Sequence, residues 1–430
     1  MNQGGPKPRA RSIARARDIT LGASVGLLVA VAMATHTKSS APARSSEVHA
    51  VAPWIEQAIA RERSELQRAR ATEEGHVFEA TVTPVSGGYV SMWAVSDDDT
   101  ATIRCAVLGA DGSLRSRPVQ LSSGERRAVR PVASAVGDRV AVAWIEVASW
   151  LPFRTTPMWA VVDKHCAVLR PNAPVGFEGR ARFMVDVAFD GARVAFVSRG
   201  LDRGPEVQVA IRSIEGLVIA NETIDVDEPG LLSAVTATER GFLVAFDEHD
   251  FARSKTKLRA ALVSPTGTHI QSTTLRHFDG RLAFVQSARG SERGFVWGED
   301  GDWFSSRFET FVARVRGGEA LSPLRVSERS TSSTRDAACN ARGCLHAWTR
   351  VGPETTAQPR FATEFRDVDG RVERGPIEHA VEGASLRFGP SVAASADGTS
   401  FLSLIATQRA LYAQRFDHSG RPQGAPIAIH

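Results

Sequence analysis

GDRVAVAW, at residues 137–144, decides the fold, because variants of this stretch recur along the whole chain. The stretch joins a polar turn to a run of almost uninterrupted apolar residues, which is typical of a strand buried on both faces. Aligned on its closing residue, it occurs seven times, at intervals of 51, 54, 48, 51, 51 and 56 residues. The seven closing residues are Trp93, Trp144, Ser198, Phe246, Trp297, Trp348 and Leu404.

A second marker, a turn glycine, has the same period. Glycines at intervals of 51, 51, 52 and 50 residues are Gly216, Gly267, Gly318, Gly370 and Gly420. Gly112 holds this place in the first unit, whereas Cys166 replaces glycine in the second. Glycine suits a hairpin turn because it adopts positive φ without a steric penalty. Two hairpins in each unit predict a four-stranded antiparallel sheet.

A single sheet of this kind cannot bury both of its faces. Seven arranged radially cover one another, which predicts an all-β fold, a seven-bladed β-propeller of four-stranded antiparallel blades over residues 77–430. The recurring Trp or Phe is then a wedge between blades, and Ser198 and Leu404 predict looser packing in blades three and seven. Because the first strand begins near Val77 and the last ends at 426–429, we expect blades one and seven to pack face to face without sharing a strand.

The N-terminal 34 residues combine a basic segment, an apolar run and the small-x-small pattern of Ala32-Met33-Ala34. This order predicts a cleavable signal peptide, with an uncleaved signal anchor as the alternative. Residues 35–52 are predicted to be a linker. Residues 53–74 carry apolar side chains at helical spacing, which predicts an amphipathic helix that packs on the domain, forms a stalk or binds a partner.

The net charge of +4 belongs to the N-terminal segment. Residues 1–34 hold five basic side chains and one acidic one, so 52 less 5 basic and 48 less 1 acidic residues, 47 of each, remain elsewhere. The rest of the chain therefore has no net positive field that would favour nucleic acid.

The repeat resembles that of uncharacterised secreted bacterial seven-bladed β-propeller proteins with a G-x-x-L-V-A-W … D-G pattern. Residues 137–144 and Asp369-Gly370 carry the resemblance most clearly, and it covers about residues 77–430. It implies the propeller fold and export from the cytoplasm. That group supplies no catalytic residues to transfer to this chain.

The four cysteines fall into two pairs with different expectations. Cys339 and Cys344 flank a predicted hairpin turn in blade six, where facing positions meet the distances of a disulfide. Cys105 lies seven residues before its turn glycine, whereas Cys166 occupies the turn itself. At about 3.3 Å per residue this offset predicts a separation of roughly 20 Å along the strand, and hence no bridge.

Candidate ligand-binding residues lie in the connections between strands two and three of four blades. They combine carboxylates with aromatic and basic side chains: Asp97, Asp98, Asp99, Trp150, Phe153, Arg154, Glu248, His249, Asp250, Phe251, Asp302 and Trp303. Aromatic side chains beside carboxylates suit sugar stacking, a peptide or a cation. The alternative is a set of ordinary solvated loops. The runs lack the alternating oxygen spacing of a calcium loop.

A second candidate surface is the axial mouth of the ring. The starts of the first strands bring together Arg127, Arg130, Arg180, Arg182, Arg335 and Arg387. Converging guanidinium groups can hold an anion. The favoured alternative is that they pair with the nearby acidic residues Asp225, Asp227, Glu228 and Asp336.

Catalytic signatures are absent from the sequence: it has no H-E-x-x-H, phosphate loop, dinucleotide fingerprint or C-x-x-C. A complete fold signal beside an empty catalytic one favours a non-catalytic binding or scaffold propeller that uses the strand two–three loops. The alternative is an extracellular polysaccharide hydrolase or lyase with carboxylates in the same loops. No cofactor and no metal are predicted.

The predicted partners are an extracellular or envelope protein or a glycan, and the membrane is contacted only through an uncleaved N-terminal segment. The chain is expected to be a monomer that does not bind nucleic acid. Its predicted location is periplasmic, secreted or tethered to the inner membrane.

Overall fold

The computed structural model describes most of residues 76–430. The described ranges are 76–97, 100–150, 153–177, 182, 184–199, 206–228, 230, 232–250, 253–290, 292–300, 307–327, 330–350, 360–379, 381, 389–407 and 410–430. The predicted signal segment, linker and amphipathic helix, at 1–34, 35–52 and 53–74, lie outside these residues. Within them, no helix has the length and hydropathy needed to cross a membrane.

The described residues form β-strands that follow one another along the chain. In chain order they are β1 (His76–Val85), β2 (Gly88–Asp97), β3 (Thr100–Gly109), β4 (Val119–Gln120), β5 (Arg127–Val136), β6 (Arg139–Trp150), β7 (Phe153–Asp163), β8 (Val168–Pro174), β9 (Asp186–Phe189), β10 (Arg193–Arg199), β11 (Val207–Ser213), β12 (Val218–Ile224), β13 (Ser233–Thr238), β14 (Gly241–Asp250), β15 (Lys255–Val263), β16 (His269–Asp279), β17 (Arg281–Ala288), β18 (Gly294–Asp300), β19 (Arg307–Arg316), β20 (Glu319–Ala320), β21 (Leu324–Arg325), β22 (Ser330–Cys339), β23 (Gly343–Arg350), β24 (Arg360–Asp367), β25 (Val372–His379), β26 (Ser391–Ala394), β27 (Ser400–Ala406), β28 (Leu411–Asp417) and β29 (Pro422–Ala428).

These strands form a seven-bladed propeller of four-stranded antiparallel blades, which confirms the fold predicted from the repeat. Each blade is a meander of four consecutive strands, from β1-β2-β3-β4 in blade one to β26-β27-β28-β29 in blade seven. Blade five departs from the pattern because its outer strand is divided into β20 and β21, both paired with β19. The start of β22 also pairs with β19, so that blades five and six share one hydrogen-bonded sheet.

Antiparallel pairing gives the ring two different faces. The turns between strands one and two and between strands three and four lie on one side, which we name the turn face. The connections between strands two and three, and those between blades, lie on the other side, the loop face. Every blade thus presents the same two ends.

Burial follows the position of a strand in its blade. The second strands are buried on both faces, as in β14 and β27, because each blade stands between two neighbours. The outer strands, such as β16, are mostly exposed and form the rim. Close approach between blades explains one glycine in particular: at Gly267, φ is +99° and an added Cβ would lie 2.3 Å from the Cβ of Ala220 in the preceding blade.

The recurring aromatic residue is a wedge, as predicted. Trp144 is fully buried and packs with Met92 and Ala94 of blade one, and Trp297 packs in the same way against blade four. Ser198 and Leu404, which hold the wedge position in blades three and seven, are both fully buried. The Ser198 hydroxyl donates a hydrogen bond to the carbonyl of Met184 at 2.5 Å, which satisfies a polar group in the place of the aromatic ring.

The ring closes as expected, by packing of blades one and seven. In the described residues β1 pairs with β2 and β29 pairs with β28, so that no strand passes from one blade to the other. A common core instead joins the two blades, with Trp93 and Leu108 from one and Leu404 from the other.

Both pairs of cysteines form disulfides. Cys339 and Cys344 face each other across the β22–β23 hairpin and are bonded, as predicted. Cys105 and Cys166 are also bonded, with Cα atoms 6.0 Å apart, so the prediction of no bridge is wrong. The turn that carries Cys166 packs onto blade one, and Cys166 lies in the same hydrophobic core as Cys105. The seven-residue offset within the repeat therefore does not keep the two cysteines apart. Disulfides are typical of an oxidising compartment.

Candidate functional site

The predicted loop-face residues fall into three groups. Arg154, Glu248, His249 and Asp250 are described together with their side chains. For Asp97, Trp150 and Phe153 only the backbone, at the ends of strands, is described. Asp98, Asp99, Phe251, Asp302 and Trp303 lie outside the described residues.

The acidic run of blade four is strand and not loop. Glu248, His249 and Asp250 belong to β14 and pair with residues of β15. Glu248 and His249 are buried, with 1% and 4% of their surface exposed. Only 251–254 separate the two strands. Sequence analysis placed these residues in a loop, because charged residues are typical of exposed loops. Their pairing with β15 cannot be read from the sequence.

Each buried polar residue at this end of blade four has a hydrogen-bond partner. Glu248 Oε1 accepts a hydrogen bond from Arg259 Nη1 at 2.8 Å. His249 Nδ1 lies 2.7 Å from Thr256 Oγ1, and the Thr256 hydroxyl donates to the carbonyl of Gly280 at 2.6 Å. These contacts hold the end of the hairpin together, so the structure assigns them a structural role.

A buried ion pair links blades three and four beside this hairpin. Arg199 Nη1 lies 3.3 Å from Asp247 Oδ1, with side-chain exposures of 3% and 8%. The same carboxylate oxygen accepts a hydrogen bond from the backbone of Leu232 at 2.8 Å. A buried charge is tolerated only when it is paired and hydrogen-bonded in this way.

A glutamate two residues after the wedge recurs in blades two, four and five. Glu146, Glu248 and Glu299 are all buried. Glu299 Oε1 accepts hydrogen bonds from Trp297 Nε1 at 3.0 Å and from Arg276 Nε at 2.9 Å. Burial raises the pKa of Glu146 and of Glu299. Sequence reasoning missed this aromatic-x-Glu pattern, although it is visible in the repeat.

Of the predicted axial arginines, Arg130 and Arg182 have described partners within the protein. Arg130 Nε lies 3.5 Å from Glu79 Oε1, and Arg182, which is buried, donates from Nη2 to Gln208 Oε1 at 2.6 Å. Asp336 pairs with Arg289, which was not among the candidates, at 3.0 Å. Arg180 and Arg387 lie outside the described residues, and of Arg335 only the backbone is described.

Hydrogen bonds around the axis join successive blades in the described part of the chain. In each link a side chain on the first strand of one blade, or just beside it, accepts from a backbone N–H of the next. The described links run from Glu79 to Arg130, Ser134 to Phe189, Asp186 to Val235, Asp336 to Val392 and Ser391 to Val82. Their length varies between 2.6 and 3.2 Å. These links fasten successive blades at the centre of the ring.

Three charged residues concentrate near the axis. Arg289 Nη1 donates to Asp336 Oδ2 at 3.0 Å and to Ser391 Oγ at 2.9 Å. Burial raises the pKa of Asp336 to about 6, and the Arg289 charge opposes this rise. Burial also raises the pKa of Asp186. In the described part of the chain, no group of three or more His, Cys, Asp or Glu side chains is placed to hold a metal ion.

No protein-family model matches the chain, and no curated protein matches it. Among solved structures, a prolyl endopeptidase matches with a TM-score of 0.50 and 12% identity, over 87% of this chain and 54% of that one. The β-propeller domain of the Trilobed protease from Pyrococcus furiosus, which has an open velcro topology, gives 0.46 and 11%, over 83% and 98%. The tricorn protease gives 0.44 and 12%, over 84% and 36%.

The fold and the paired polar groups thus define a closed seven-bladed propeller, similar in fold to these proteins. The chain spans about half the length of the prolyl endopeptidase that it matches. At 12% identity the likeness shows the fold.

The comparisons also correct the predicted function. The sequence favoured a non-catalytic binding or scaffold propeller, with a polysaccharide hydrolase or lyase as the alternative. A solved structure that matches 87% of this chain with a TM-score of 0.50 is that of a prolyl endopeptidase. Both expectations are wrong on this comparison and are withdrawn.

Proposed function

We propose that this chain has a peptidase-associated role, in which the propeller admits and orients peptide substrates for catalytic groups outside the ring. The observation that carries this proposal is the match of 87% of the chain to 54% of a prolyl endopeptidase. Inter-domain dynamics have a role in the catalysis and specificity of that enzyme. A propeller that corresponds to about half of such a protein is suited to control access to the other half.

The state of the buried carboxylates supports catalysis outside the ring. Glu248 is held by Arg259, and Asp247 is held by Arg199. A general acid or base must reach its substrate and exchange a proton with it. These two carboxylates are buried and paired with arginines, so they are poorly placed for such an exchange.

We assign peptide binding to the loop face. There the strands of blades two and four extend into long hairpins that carry exposed cationic side chains, such as Arg154 and Arg253. An exposed guanidinium group pairs with peptide carbonyl and carboxylate oxygens. The sequence candidates at the ends of these hairpins, Trp150, Phe153 and Asp250, belong to the same proposed surface.

The experiment joins binding to a peptidase readout. The purified full chain is immobilised, incubated with an extract of its native source, washed, and assayed for cleavage of a fluorogenic proline-containing peptide. We expect no cleavage by the chain alone and retained peptidase activity after incubation with the extract. Cleavage by the pure chain, or no retained activity, contradicts the proposal.

A pair of charge reversals tests the assigned face. Arg154→Glu changes the loop face, whereas Arg421→Glu changes an exposed arginine in a turn on the opposite side. We expect the first variant to lose most of the retained activity and the second to keep it. Equal behaviour of the two variants contradicts the use of the loop face.

We further propose that the chain is exported. The two disulfides and the order of basic, apolar and small residues in 1–34 support this proposal. Mass spectrometry of the protein from its native source is expected to find a mature N-terminus at Thr35 and oxidised cysteines. A reduced protein confined to the cytoplasm contradicts export.

A further inference from the structure

A cavity of about 520 Å³ opens on the turn face, at the seam where blades one, two and seven meet. Blade one contributes the two turns around Gly88 and Gly109, and blade two contributes Lys164 and His165. Arg415 of β28 completes the wall from blade seven. Four cationic or ionisable basic side chains, those three and Arg115, thus line one cavity.

Two of these cations already have acidic partners. Lys164 Nζ lies 2.7 Å from Asp138 Oδ2, and Arg115 Nη2 lies 3.1 Å from Asp111 Oδ2. Hydrogen bonds from Ser113 are the main reason that the pKa of Asp111 is lowered, and the bond from Lys164 has this effect on Asp138. Both carboxylates are therefore ionised, and each is already paired with one cation of the cavity.

Unlike Lys164 and Arg115, Arg415 has no salt bridge in the described part of the chain. It is half-buried, and its Nε atom is buried without a hydrogen-bond partner in the described residues. No carboxylate of that part of the chain forms a salt bridge with it. A guanidinium group that is partly removed from water and forms no salt bridge favours an anion, because the anion balances its charge.

The disulfide between blades one and two fixes the opposite wall. Cys166 directly follows Lys164 and His165, and its bond to Cys105 ties their turn to blade one. Cys166 adopts a φ of +60°, in a turn where most other blades have glycine. The turn thus carries a conformation that is unfavourable for a non-glycine residue, and the disulfide ties its backbone to blade one. Preorganised charges bind with a smaller loss of conformational entropy.

We propose that this cavity, which we name the seam pocket, binds an anionic group, a carboxylate or a phosphate, through Arg415 with Lys164 and His165 at its rim. The seam pocket lies on the face opposite the one assigned to peptide substrates. It therefore does not rest on the proposed function, and either proposal can fail without the other.

The test uses two anionic probes and one neutral probe. Inorganic phosphate and a capped triglutamate peptide are titrated into the oxidised full chain by calorimetry at low and high salt, with a capped triglutamine peptide as the neutral control. We expect at least one anionic probe to bind, to weaken with salt, and to exceed the neutral peptide. Binding of phosphate alone identifies the ligand group as a phosphate, and binding of triglutamate alone identifies it as a carboxylate. Binding of neither overturns the proposal.

Matched arginine variants show whether the seam pocket is responsible. Arg415→Gln is expected to lower the affinity for the bound probe about tenfold or more, as the loss of a charge-assisted hydrogen bond requires. Arg374→Gln is the control, since Arg374 is also half-buried with an unpartnered Nε but lies on the outer strand of blade six. We expect it to bind like the wild type.

A conservative variant guards against a failure of folding. Arg415→Lys keeps the charge but loses the planar fork, so we expect an intermediate affinity and an unchanged melting temperature. Wild-type affinity in Arg415→Gln, or an equal loss in Arg374→Gln, overturns the assignment to the seam pocket. If Arg415→Gln does not fold, Arg415→Lys is used instead, and wild-type affinity in that variant overturns the assignment of anion binding to the seam pocket.

Discussion

Asp186 and Asp336 have the same role in blades three and six. Each carboxylate accepts a hydrogen bond from the backbone of the following residue and another from the first strand of the next blade. Both are buried near the axis, where Arg289 supplies the nearby positive charge. Single polar side chains thus connect neighbouring blades of the ring. The protonation state of these carboxyl groups therefore affects the free energy of unfolding.

The Asp336 carboxyl is expected to give folding a pH dependence. Its ordinary pKa of 3.8 is raised to about 6 by burial. Since the folded state then binds the proton more tightly than the unfolded state, its stabilising effect is fully present below pH 3.8 and is lost as the pH rises through 6. Urea titrations across this range should show this fall in the free energy of unfolding.

The variant Asp336→Asn isolates this contribution. We expect it to lack the fall between the two pKa values, because the amide has no proton to lose. Asp369→Asn, at an exposed turn position of the same blade, should follow the wild type. A parallel pH dependence in wild type and Asp336→Asn contradicts the assignment to this carboxyl.

The wedge residue is the second feature that belongs to the residue scale. Trp144 is fully buried between blades one and two, so Trp144→Ala should lower the free energy of unfolding by about 3–5 kcal/mol. Leu217→Ala provides the control, because Leu217 is 70% exposed on the rim and its truncation should change stability by less than about 0.5 kcal/mol. Similar losses for both in urea denaturation contradict the wedge.

At the scale of strands and blades, the period of the sequence predicted more than its local composition did. Recurrence of the 137–144 stretch placed the second strand of every blade, because a strand buried on both faces must be apolar throughout. The apolar pattern did not identify Glu248 and His249 as strand residues. They are polar, and their hydrogen bonds to Arg259 and Thr256 allow them to be buried at the end of a strand. The sequence therefore predicted the wrong exposure for these two residues, because it placed them in a solvated loop.

The Cys105–Cys166 bond could not be predicted from the positions of the two cysteines within their repeats. A repeat gives the position of each residue within its own blade. It does not give the way in which a turn of one blade packs over the sheet of the next, and that packing brings these two residues together. The axial hydrogen bonds were missed for the same reason, because each joins side chain and backbone of different blades.

The two disulfides are expected to differ in their effect on stability. In the chain-entropy description, a bridge that closes a longer loop restricts the unfolded chain more. Cys105–Cys166 spans 61 residues and Cys339–Cys344 spans 5, which corresponds to about 4 and about 2 kcal/mol. Paired Cys→Ala variants under oxidising conditions should therefore lose more stability at the first bridge. An equal or reversed order in urea denaturation contradicts this expectation.

At the scale of the whole molecule, the seam between blades one and seven is held without a shared strand. Tyr89 of blade one and Ser400 of blade seven are hydrogen-bonded at 3.2 Å, and Ser391 Oγ accepts from the backbone of Val82. The core beneath them is apolar and includes Ile429 near the end of the chain. Because these contacts are side-chain packing, the seam can open without the loss of a complete strand from either blade.

The last prediction concerns this opening. Ile429 is 4% exposed and packs in the core of the seam, and the ring of His430 lies 5.7 Å from that of Trp93. Ile429→Ala should lower the free energy of unfolding by about 2–4 kcal/mol. Hydrogen exchange followed by mass spectrometry should rise first in β1, β2 and β27 and remain unchanged in blades three to five. Ile427→Ala, at an exposed position of β29 just before Ile429, is the matched control and should leave exchange unaltered. A uniform rise around the ring would show that the seven blades open as one unit, and that the seam is as strong as every other junction.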